Sequence, residues 1–169
     1  LAWLAERDIA VAGVELSEVA CRKVFEAWGQ TPTVERYQSN GADFEVLQAD
    51  NLAIHRGDLF KLDTARIGPI DAVWDRGSLV AIRPKRRAEY VATLSRVASG
   101  AELLLVVFDY GPEVMDGPPF AVTEAFVTAH FDAVERLSEE DISHRLAEEN
   151  LEAEAAGLFF RRVYRARIR

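Results

Sequence analysis

The chain of 169 residues is poor in cysteine, in long apolar runs and in positive charge. Its single cysteine, Cys21, excludes an intramolecular disulfide and is typical of a reducing compartment, so we expect a cytoplasmic protein. No apolar run approaches the roughly 18 residues that span a bilayer. The 28 acidic residues outnumber the 20 basic ones for a net charge of −8, which argues against a nucleic-acid partner. We expect a monomer whose partner is a small molecule, with neither nucleic acid nor membrane involved.

Three well-known site motifs are missing as well. The G-x-S-x-G turn of many serine hydrolases does not occur. The three histidines, His55, His130 and His144, lie far apart and lack the spacing of metal ligands, so no metal site is predicted. The G-x-G-x-x-G turn, which follows the first strand of a nucleotide-binding fold, is also absent. Since residues 1–7 have the pattern of a helix end, we expect that turn in a segment upstream of residue 1.

Short apolar runs alternate with helical patterns along the chain, which predicts an α/β fold with helices on both faces of a sheet. Runs such as 101–110 are apolar almost throughout, as expected for buried strands of a mostly parallel sheet. The basic stretch 83–87 is predicted to be solvated surface. Two alternating strands at the end favour an antiparallel pair. We expect one domain over residues 1–169 with these elements: a helix end at 1–7, a strand at 9–15, a helix at 18–28, a loop at 30–43, two short strands within 44–62 around a turn at Asp50-Asn51, a strand at 70–75, a helix at 84–98, a strand at 101–110, a loop at 111–120, a helix at 123–131, and strands at 133–142 and 158–168.

Acidic residues stand at the ends of four predicted strands. They are Glu15, Asp58, Asp75 and Asp109, and Asp75 is followed directly by Arg76. In open α/β sheets, ligands bind at the carboxyl ends of the strands. The sequence therefore predicts one polar rim, built from these side chains on an apolar scaffold.

Two of these carboxylates suit an adenosine ligand. Glu15 ends the first strand of this chain, which would be the second strand of a nucleotide-binding fold. An acidic residue there typically binds both ribose hydroxyls, because its two oxygens can accept from two adjacent O–H donors. The alternative is a solvated Glu beside a helix N-terminus. Asp58 can accept from an exocyclic adenine amine while Leu59 packs on the ring. The alternative is a turn aspartate that bonds its own backbone.

Three motifs give a more specific hypothesis. The stretch "WDRGSLVAIRP" (74–84) resembles the "WDRGALVAINP" signature of the thiopurine S-methyltransferase family, and "GPPF" (117–120) and "VAGVELSE" (11–18) match the same family in the same order. The resemblance implies a Rossmann-like class I methyltransferase fold, mostly parallel with an antiparallel C-terminal strand. It also implies S-adenosylmethionine (SAM) as methyl donor and S-adenosylhomocysteine as product. The glycine-containing SAM loop of the family, similar to "PLCGK", has no counterpart here, so we expect a chain truncated at its N-terminus.

The resemblance also assigns cofactor contacts. Glu15 would bind the SAM ribose, and Asp58 and Leu59 would flank the adenine. Asp75 and Arg76 would lie beside the methionine end of SAM and the acceptor pocket, where both are predicted catalytic residues.

For the acceptor, the resemblance implies a site with positively charged side chains and an apolar wall. Arg76 would hold or polarise the acceptor, and Arg145 in "SHR" is the match for a second arginine of the family with a similar task. Pro118, Pro119 and Phe120 would form part of the acceptor wall. Because a guanidinium stays charged at all relevant pH values, Arg76 can stabilise a thiolate without acting as a base.

The resulting hypothesis is a SAM-dependent methyltransferase that acts on the sulfur of small aromatic or heterocyclic thiols such as thiopurines. Three alternatives stay open. Selenium or tellurium compounds could be the acceptors, as the resemblance to bacterial members of the family implies. Glu15 would also fit the ribose of NAD, the cofactor of an oxidoreductase. A truncated chain could instead be a non-catalytic domain that binds a partner.

Overall fold

The computed structural model describes residues 1–112, 114–144 and 158–169. The chain divides into two compact units, Leu1–Gly68 and Pro69–Arg169, and each unit has a four-stranded sheet of its own. The single domain expected from the sequence stays a prediction. None of the helices in the described ranges combines the length and the apolarity needed to cross a membrane.

The first unit is a mixed sheet with short helices. Its strands run in the spatial order β1-β4-β3-β2, with β1 parallel to β4 and the other neighbours antiparallel. The elements are α1 (Ala2–Ala5), β1 (Val11–Glu15), α2 (Glu18–Trp28), β2 (Thr33–Ser39), β3 (Ala42–Ala49), β4 (Leu52–Arg56) and the 3₁₀ turns Leu59–Lys61 and Thr64–Arg66.

Helix α2 supplies one side of the first unit's core. It begins where the Ser17 hydroxyl oxygen accepts from the backbone N–H of Ala20 at 3.2 Å, and it ends at Gly29, which has the left-handed conformation common after helices. Its fully buried residues Cys21 and Phe25 belong to one hydrophobic cluster with residues of β3 and β4, among them Ile54. This packing holds α2 against the sheet, so the turn between β1 and α2 is fixed at both ends.

The second unit is also mixed. Its strands run in the order β5-β6-β8-β7, with β5 parallel to β6 and the other neighbours antiparallel. The inner strand β6 (Glu102–Tyr110) has one buried face, formed by Leu103, Leu105 and Val107, and the residues between them are more exposed. The elements are β5 (Ala72–Asp75), α3 (Ser78–Ala81), the 3₁₀ turn Pro84–Arg86, α4 (Arg87–Ala98), β6 (Glu102–Tyr110), α5 (Glu124–His130), β7 (Asp132–Asp141) and β8 (Phe159–Arg167).

The structure confirms the alternating elements and the antiparallel C-terminal pair, but the sheet is not mostly parallel. Four of the six strand pairings among the described residues are antiparallel. The loop expected at 30–43 is wrong, because β2 and the start of β3 form a hairpin there. Its turn is Asn40-Gly41, whose positive φ angles of 46° and 76° are those of a tight hairpin turn. The short helix α3 was not predicted.

A row of alternating charges crosses the first sheet. Arg36, Glu45, Arg56 and Glu15 are register partners on the four successive strands. Glu45 is 9% exposed and accepts from Arg36 Nε at 2.9 Å and from Arg56 Nε at 2.8 Å. These two guanidinium groups, Arg36 foremost, hold the pKa of Glu45 below its ordinary value of 4.5.

The Glu45 interaction predicts how stability depends on pH. Since the pKa is lowered in the folded state, ionised Glu45 stabilises the fold at pH values above its unfolded pKa, and this contribution disappears as the pH falls through the folded value. We expect that Glu45→Gln lowers the free energy of unfolding at pH 7 and that the difference from wild type shrinks below about pH 4. Urea unfolding between pH 7 and pH 3 measures it. A difference that stays constant over this range would contradict the assignment.

Candidate functional site

Glu15 and Asp58 lie at the same end of two neighbouring parallel strands. Glu15 ends β1, and its backbone carbonyl accepts from the N–H of Gly57 at 2.9 Å, directly after β4. Asp58 follows one residue later and begins the 3₁₀ turn. The structure therefore brings these two predicted cofactor residues to one edge of the sheet in the first unit.

Each of these two carboxylates has one oxygen engaged by the backbone. Glu15 Oε1 accepts from the N–H of Ser17 at 2.7 Å, and Asp58 Oδ1 accepts from the N–H of Phe60 at 3.0 Å. The alternative interpretation of Asp58, a turn aspartate that bonds its own backbone, thus holds for that oxygen. The second oxygens, Glu15 Oε2 and Asp58 Oδ2, accept no hydrogen bond from the described residues. Both side chains are half-buried, so these oxygens are open to a ligand.

A cavity of about 780 Å³ opens beside these strand ends. Glu15 and Leu59 are the sequence neighbours of two lining residues, Leu16 and Asp58. The walls of the cavity combine apolar, aromatic and charged side chains. Its lining residues are Leu16, Arg36, Tyr37, Gln38, Ala42, Asp43, Phe44, Glu45, Arg56, Gly57 and Asp58.

One wall of the cavity depends on the absence of a side chain at Gly57. A Cβ atom there would overlap with the ring of Phe44. Phe44 in turn stacks on Tyr37, with 5.1 Å between ring centroids, and the Tyr37 hydroxyl hydrogen bonds to Nδ1 of His55 at 2.9 Å. Burial lowers the pKa of His55, which favours the neutral form of its ring. The turn into Asp58 is therefore packed against a connected aromatic layer.

This contact predicts that Gly57→Ala destabilises the protein. The added methyl must displace the Phe44 ring, and overpacking of this kind costs about 1–3 kcal/mol. Thermal or urea unfolding measures the loss. In a Phe44→Ala background, which lacks every ring atom, the same glycine substitution should cost less. Equal losses in the Phe44 and the Phe44→Ala backgrounds would show that the ring is not the obstacle.

In the second unit, the carboxylate of Asp75 is bonded within the protein. Asp75 is 2% exposed at the end of β5. Its Oδ1 accepts from the backbone N–H groups of Gly77 (3.3 Å) and Ser78 (2.9 Å), and Oδ2 accepts from the hydroxyl of Tyr90 at 2.7 Å. The N–H of Leu79 is shared between Oδ1 at 3.3 Å and Oδ2 at 3.2 Å. The catalytic role predicted for Asp75 stays a prediction, but its carboxylate faces donors of its own chain.

Arg76 differs from Asp75 in both exposure and bonding. Its side chain is exposed, and its guanidinium forms no hydrogen bond or ion pair with any described residue. The next residue, Gly77, has φ 144° and ψ −12°, a conformation that side chains with a Cβ rarely adopt. This explains the order of the "DRG" motif: a buried carboxylate, an exposed cation and a glycine that permits the sharp turn.

The predicted acceptor wall is a fixed turn. The Gly117–Pro118 and Pro118–Pro119 peptides are both cis. The Phe120 N–H donates to the carbonyl of Val80 at 2.6 Å, and the Tyr110 hydroxyl donates to the carbonyl of Pro119. These two hydrogen bonds hold Phe120 to α3 and Pro119 to the end of β6.

Arg87 is a residue whose place was not foreseen. Stretch 83–87 was expected to be solvated, yet Arg87 is 7% exposed, and burial lowers its pKa. Its Nη2 donates to the carbonyl of Ala121 at 2.7 Å, directly after the predicted acceptor wall. The spacing of Arg87, Tyr90 and Leu94, three and four residues apart, is the signal that could have placed all three on one buried helix face.

The remaining candidates differ in their surroundings. Asp109, at the fourth strand end, forms an ion pair with Arg162 of β8, which also pairs with Glu139 at 2.6 Å. Arg145 lies outside the described residues. Within the described ranges, the acidic, histidine and cysteine side chains form no cluster that could hold a metal ion.

Comparison with known proteins assigns the chain to a family. Residues 1–167 match the family described as thiopurine S-methyltransferase (TPMT). The chain belongs to this family. It is 39% identical over 127 residues to a thiopurine S-methyltransferase of Teredinibacter turnerae, which covers 75% of this chain and 58% of the relative. It is 42% identical over 135 residues to one of Aliivibrio salmonicida, which covers 79% and 61%. The chain thus matches about three fifths of the length of these curated relatives.

Solved structures show the fold. The chain is similar, with a TM-score of 0.58 and 13% identity, to Haemonchus contortus phosphoethanolamine N-methyltransferase 2 in complex with phosphomonomethylethanolamine and S-adenosylhomocysteine. The likeness covers 98% of this chain and 46% of that protein. It supports the α/β methyltransferase fold that the sequence motifs implied.

Proposed function

We propose that this chain carries the adenosine-binding and acceptor-binding residues of a SAM-dependent methyltransferase that modifies the sulfur of small aromatic or heterocyclic thiols, thiopurines among them. The observation that carries the proposal is the pair of half-engaged carboxylates, Glu15 and Asp58, at neighbouring strand ends in a chain of the thiopurine S-methyltransferase family. The product would be the methylated acceptor together with S-adenosylhomocysteine.

The free oxygens of these two residues fit the polar groups of adenosine. Glu15 Oε2 would accept from ribose hydroxyls, since a carboxylate oxygen suits an O–H donor. Asp58 Oδ2 would accept from the exocyclic amine of adenine, and Leu59 would cover the ring. The backbone bonds to Glu15 Oε1 and Asp58 Oδ1 hold both carboxylates in place before the ligand arrives, which reduces the ordering cost of binding.

The chemistry needs little from the protein beyond binding and orientation. SAM, when bound, supplies a methyl group on a positively charged sulfur that is already activated. The exposed guanidinium of Arg76 would stabilise the thiolate form of the acceptor, because it is positively charged at every relevant pH. Pro118, Pro119 and Phe120 would provide an apolar surface for the acceptor ring and exclude water from it.

The composition supports a small-molecule enzyme of the cytoplasm. The net charge of −8 disfavours a polyanionic partner, and the single cysteine suits a reducing environment. We propose on these grounds that the protein is cytoplasmic and does not bind nucleic acid. The monomer expected from the sequence stays a prediction.

Calorimetric titration with SAM and S-adenosylhomocysteine tests cofactor binding. We expect that Glu15→Ala weakens both ligands by about 1–3 kcal/mol, since it removes a hydrogen bond to a charged group. The matched control is Glu35→Ala, an exposed glutamate of the same unit outside the site, which should leave both affinities unchanged. Absence of binding heat with either ligand, together with binding of NADH in a parallel titration, would support the oxidoreductase alternative and refute the proposal.

Replacing Arg76 separates the acceptor role from cofactor binding. We expect that Arg76→Ala lowers the rate of methyl transfer to 6-mercaptopurine by at least about tenfold, while the affinity for SAM stays within about twofold of wild type. Arg76→Lys should recover part of the rate, because it restores the charge without the planar fork. Arg83→Ala, an exposed arginine of the same unit, is the control and should change neither quantity. Equal losses of rate and of SAM affinity in Arg76→Ala would contradict this division of roles.

A further inference from the structure

The buried hydroxyl of Tyr90 has no part in the function proposed above, yet it contacts the motif that carries Arg76. Tyr90 is 2% exposed on α4, and its hydroxyl donates to Asp75 Oδ2 at 2.7 Å. Burial, next to the Asp75 carboxylate, raises the pKa of this hydroxyl far above its ordinary value of 10.0. The hydroxyl of Tyr90 therefore keeps its proton and can donate it to Asp75.

The other partners of Asp75 are the amides of the turn that follows it. Three successive N–H groups, those of Gly77, Ser78 and Leu79, converge on the carboxylate at 2.9–3.3 Å. A carboxylate can satisfy three such donors at once only in a restricted orientation. Because Oδ2 is held from the side by Tyr90, the carboxylate cannot rotate about its own bonds without losing a charge-assisted hydrogen bond.

Arg76 lies in the middle of this arrangement. Its backbone joins Asp75 to Gly77. The side chain of Asp75 is held by its hydrogen bonds, and Gly77 has a φ of 144°, which makes the turn tight. Helix α3 begins at Ser78, so the turn has no additional residues that could absorb a displacement. The guanidinium itself has no partner among the described residues. The conformation of the backbone at Arg76 therefore decides the direction in which this side chain leaves the turn.

We propose that Tyr90 is a positioning residue for Arg76, acting through the Asp75 carboxylate and the turn that it organises. The proposal rests on the proposed function, because it assigns Arg76 a place in the acceptor site. It also gives Asp75 a different task from the one predicted: its carboxylate organises the turn and does not contact the substrate. Side chains that support a functional group from behind decide how accurately that group is held, and small displacements of a reacting partner have large effects on rate.

Tyr90→Phe tests the proposal with two readouts. It removes the hydroxyl and keeps the ring in the core. The first readout is amide hydrogen exchange in the free protein, where we expect the N–H groups of Ser78 and Leu79 to exchange about tenfold faster than in wild type. The second is steady-state transfer from SAM to 6-mercaptopurine, where we expect kcat to fall about tenfold and the KM for SAM to stay within about twofold.

Tyr164→Phe is the matched control. Tyr164 is a fully buried tyrosine of the same unit whose hydroxyl donates to a carboxylate elsewhere, that of Glu124 at 3.3 Å. Its replacement should leave exchange at Ser78 and Leu79 and the value of kcat unchanged. If kcat fell equally in both variants, the effect of Tyr90→Phe would be a general loss of stability, and the proposal would be overturned.

A double-mutant cycle with Asp75→Ala, which removes the carboxylate that accepts from the Tyr90 hydroxyl, tests whether Tyr90 acts through Asp75. If it does, Tyr90→Phe has little further effect on kcat once Asp75 is replaced. The same tenfold loss in both backgrounds, or unchanged exchange at Ser78 and Leu79 in Tyr90→Phe, would overturn the proposal, and so would faster exchange with an unchanged kcat. Absence of methyl transfer in the wild type would refute the proposed function instead, and the exchange comparison would still decide whether Tyr90 holds the turn.

Discussion

At three strand ends, a side-chain carboxylate accepts a hydrogen bond from backbone N–H groups two to four residues further along the chain. Glu15 accepts from the amide of Ser17, Asp58 from the amide of Phe60, and Asp75 from three amides in succession. Each bond satisfies N–H groups that the start of a helical turn leaves without partners, and it makes the chain reverse direction sharply. Within each unit, the candidate site residues depend on this constraint, because it fixes where the strand ends place their side chains.

The number of donors separates the three carboxylates. Asp75 is buried and accepts hydrogen bonds from four donors, so its carboxylate oxygens are already occupied by groups of the protein itself. Glu15 and Asp58 are half-buried, and each has one oxygen without a partner in the described part of the chain. A buried carboxylate whose oxygens all accept hydrogen bonds from the protein stabilises the structure. A carboxylate with only one bonded oxygen is also held in place, but its second oxygen can still accept a hydrogen bond from a ligand. This difference is the physical basis for assigning cofactor contacts to Glu15 and Asp58 and a supporting task to Asp75.

The sequence predicts the strand ends and their acidic residues well, because apolar runs and the charges that follow them are local patterns. It does not reveal which donors surround each carboxylate, since those are backbone amides and a hydroxyl from another helix, Tyr90. Arg87 was misjudged for a related reason: a basic stretch is usually solvated, and the helical spacing that buries this residue is visible only when it is combined with its neighbours. The β2–β3 hairpin was missed although the turn Asn40-Gly41 has the residue types that favour one.

The central claim is that the free oxygens of Glu15 and Asp58 hold the adenosine of the cofactor. The most direct test is a titration of the ¹⁵N-labelled chain with S-adenosylhomocysteine, followed by ¹H–¹⁵N NMR spectra. We expect the amide signals of Ser17, Gly57 and Phe60 to shift together as one saturable process, because the carboxylates and the carbonyl that they contact lie at the proposed adenosine site. If these three signals stay in place while other signals shift, or if none shifts up to millimolar ligand, the claim is wrong.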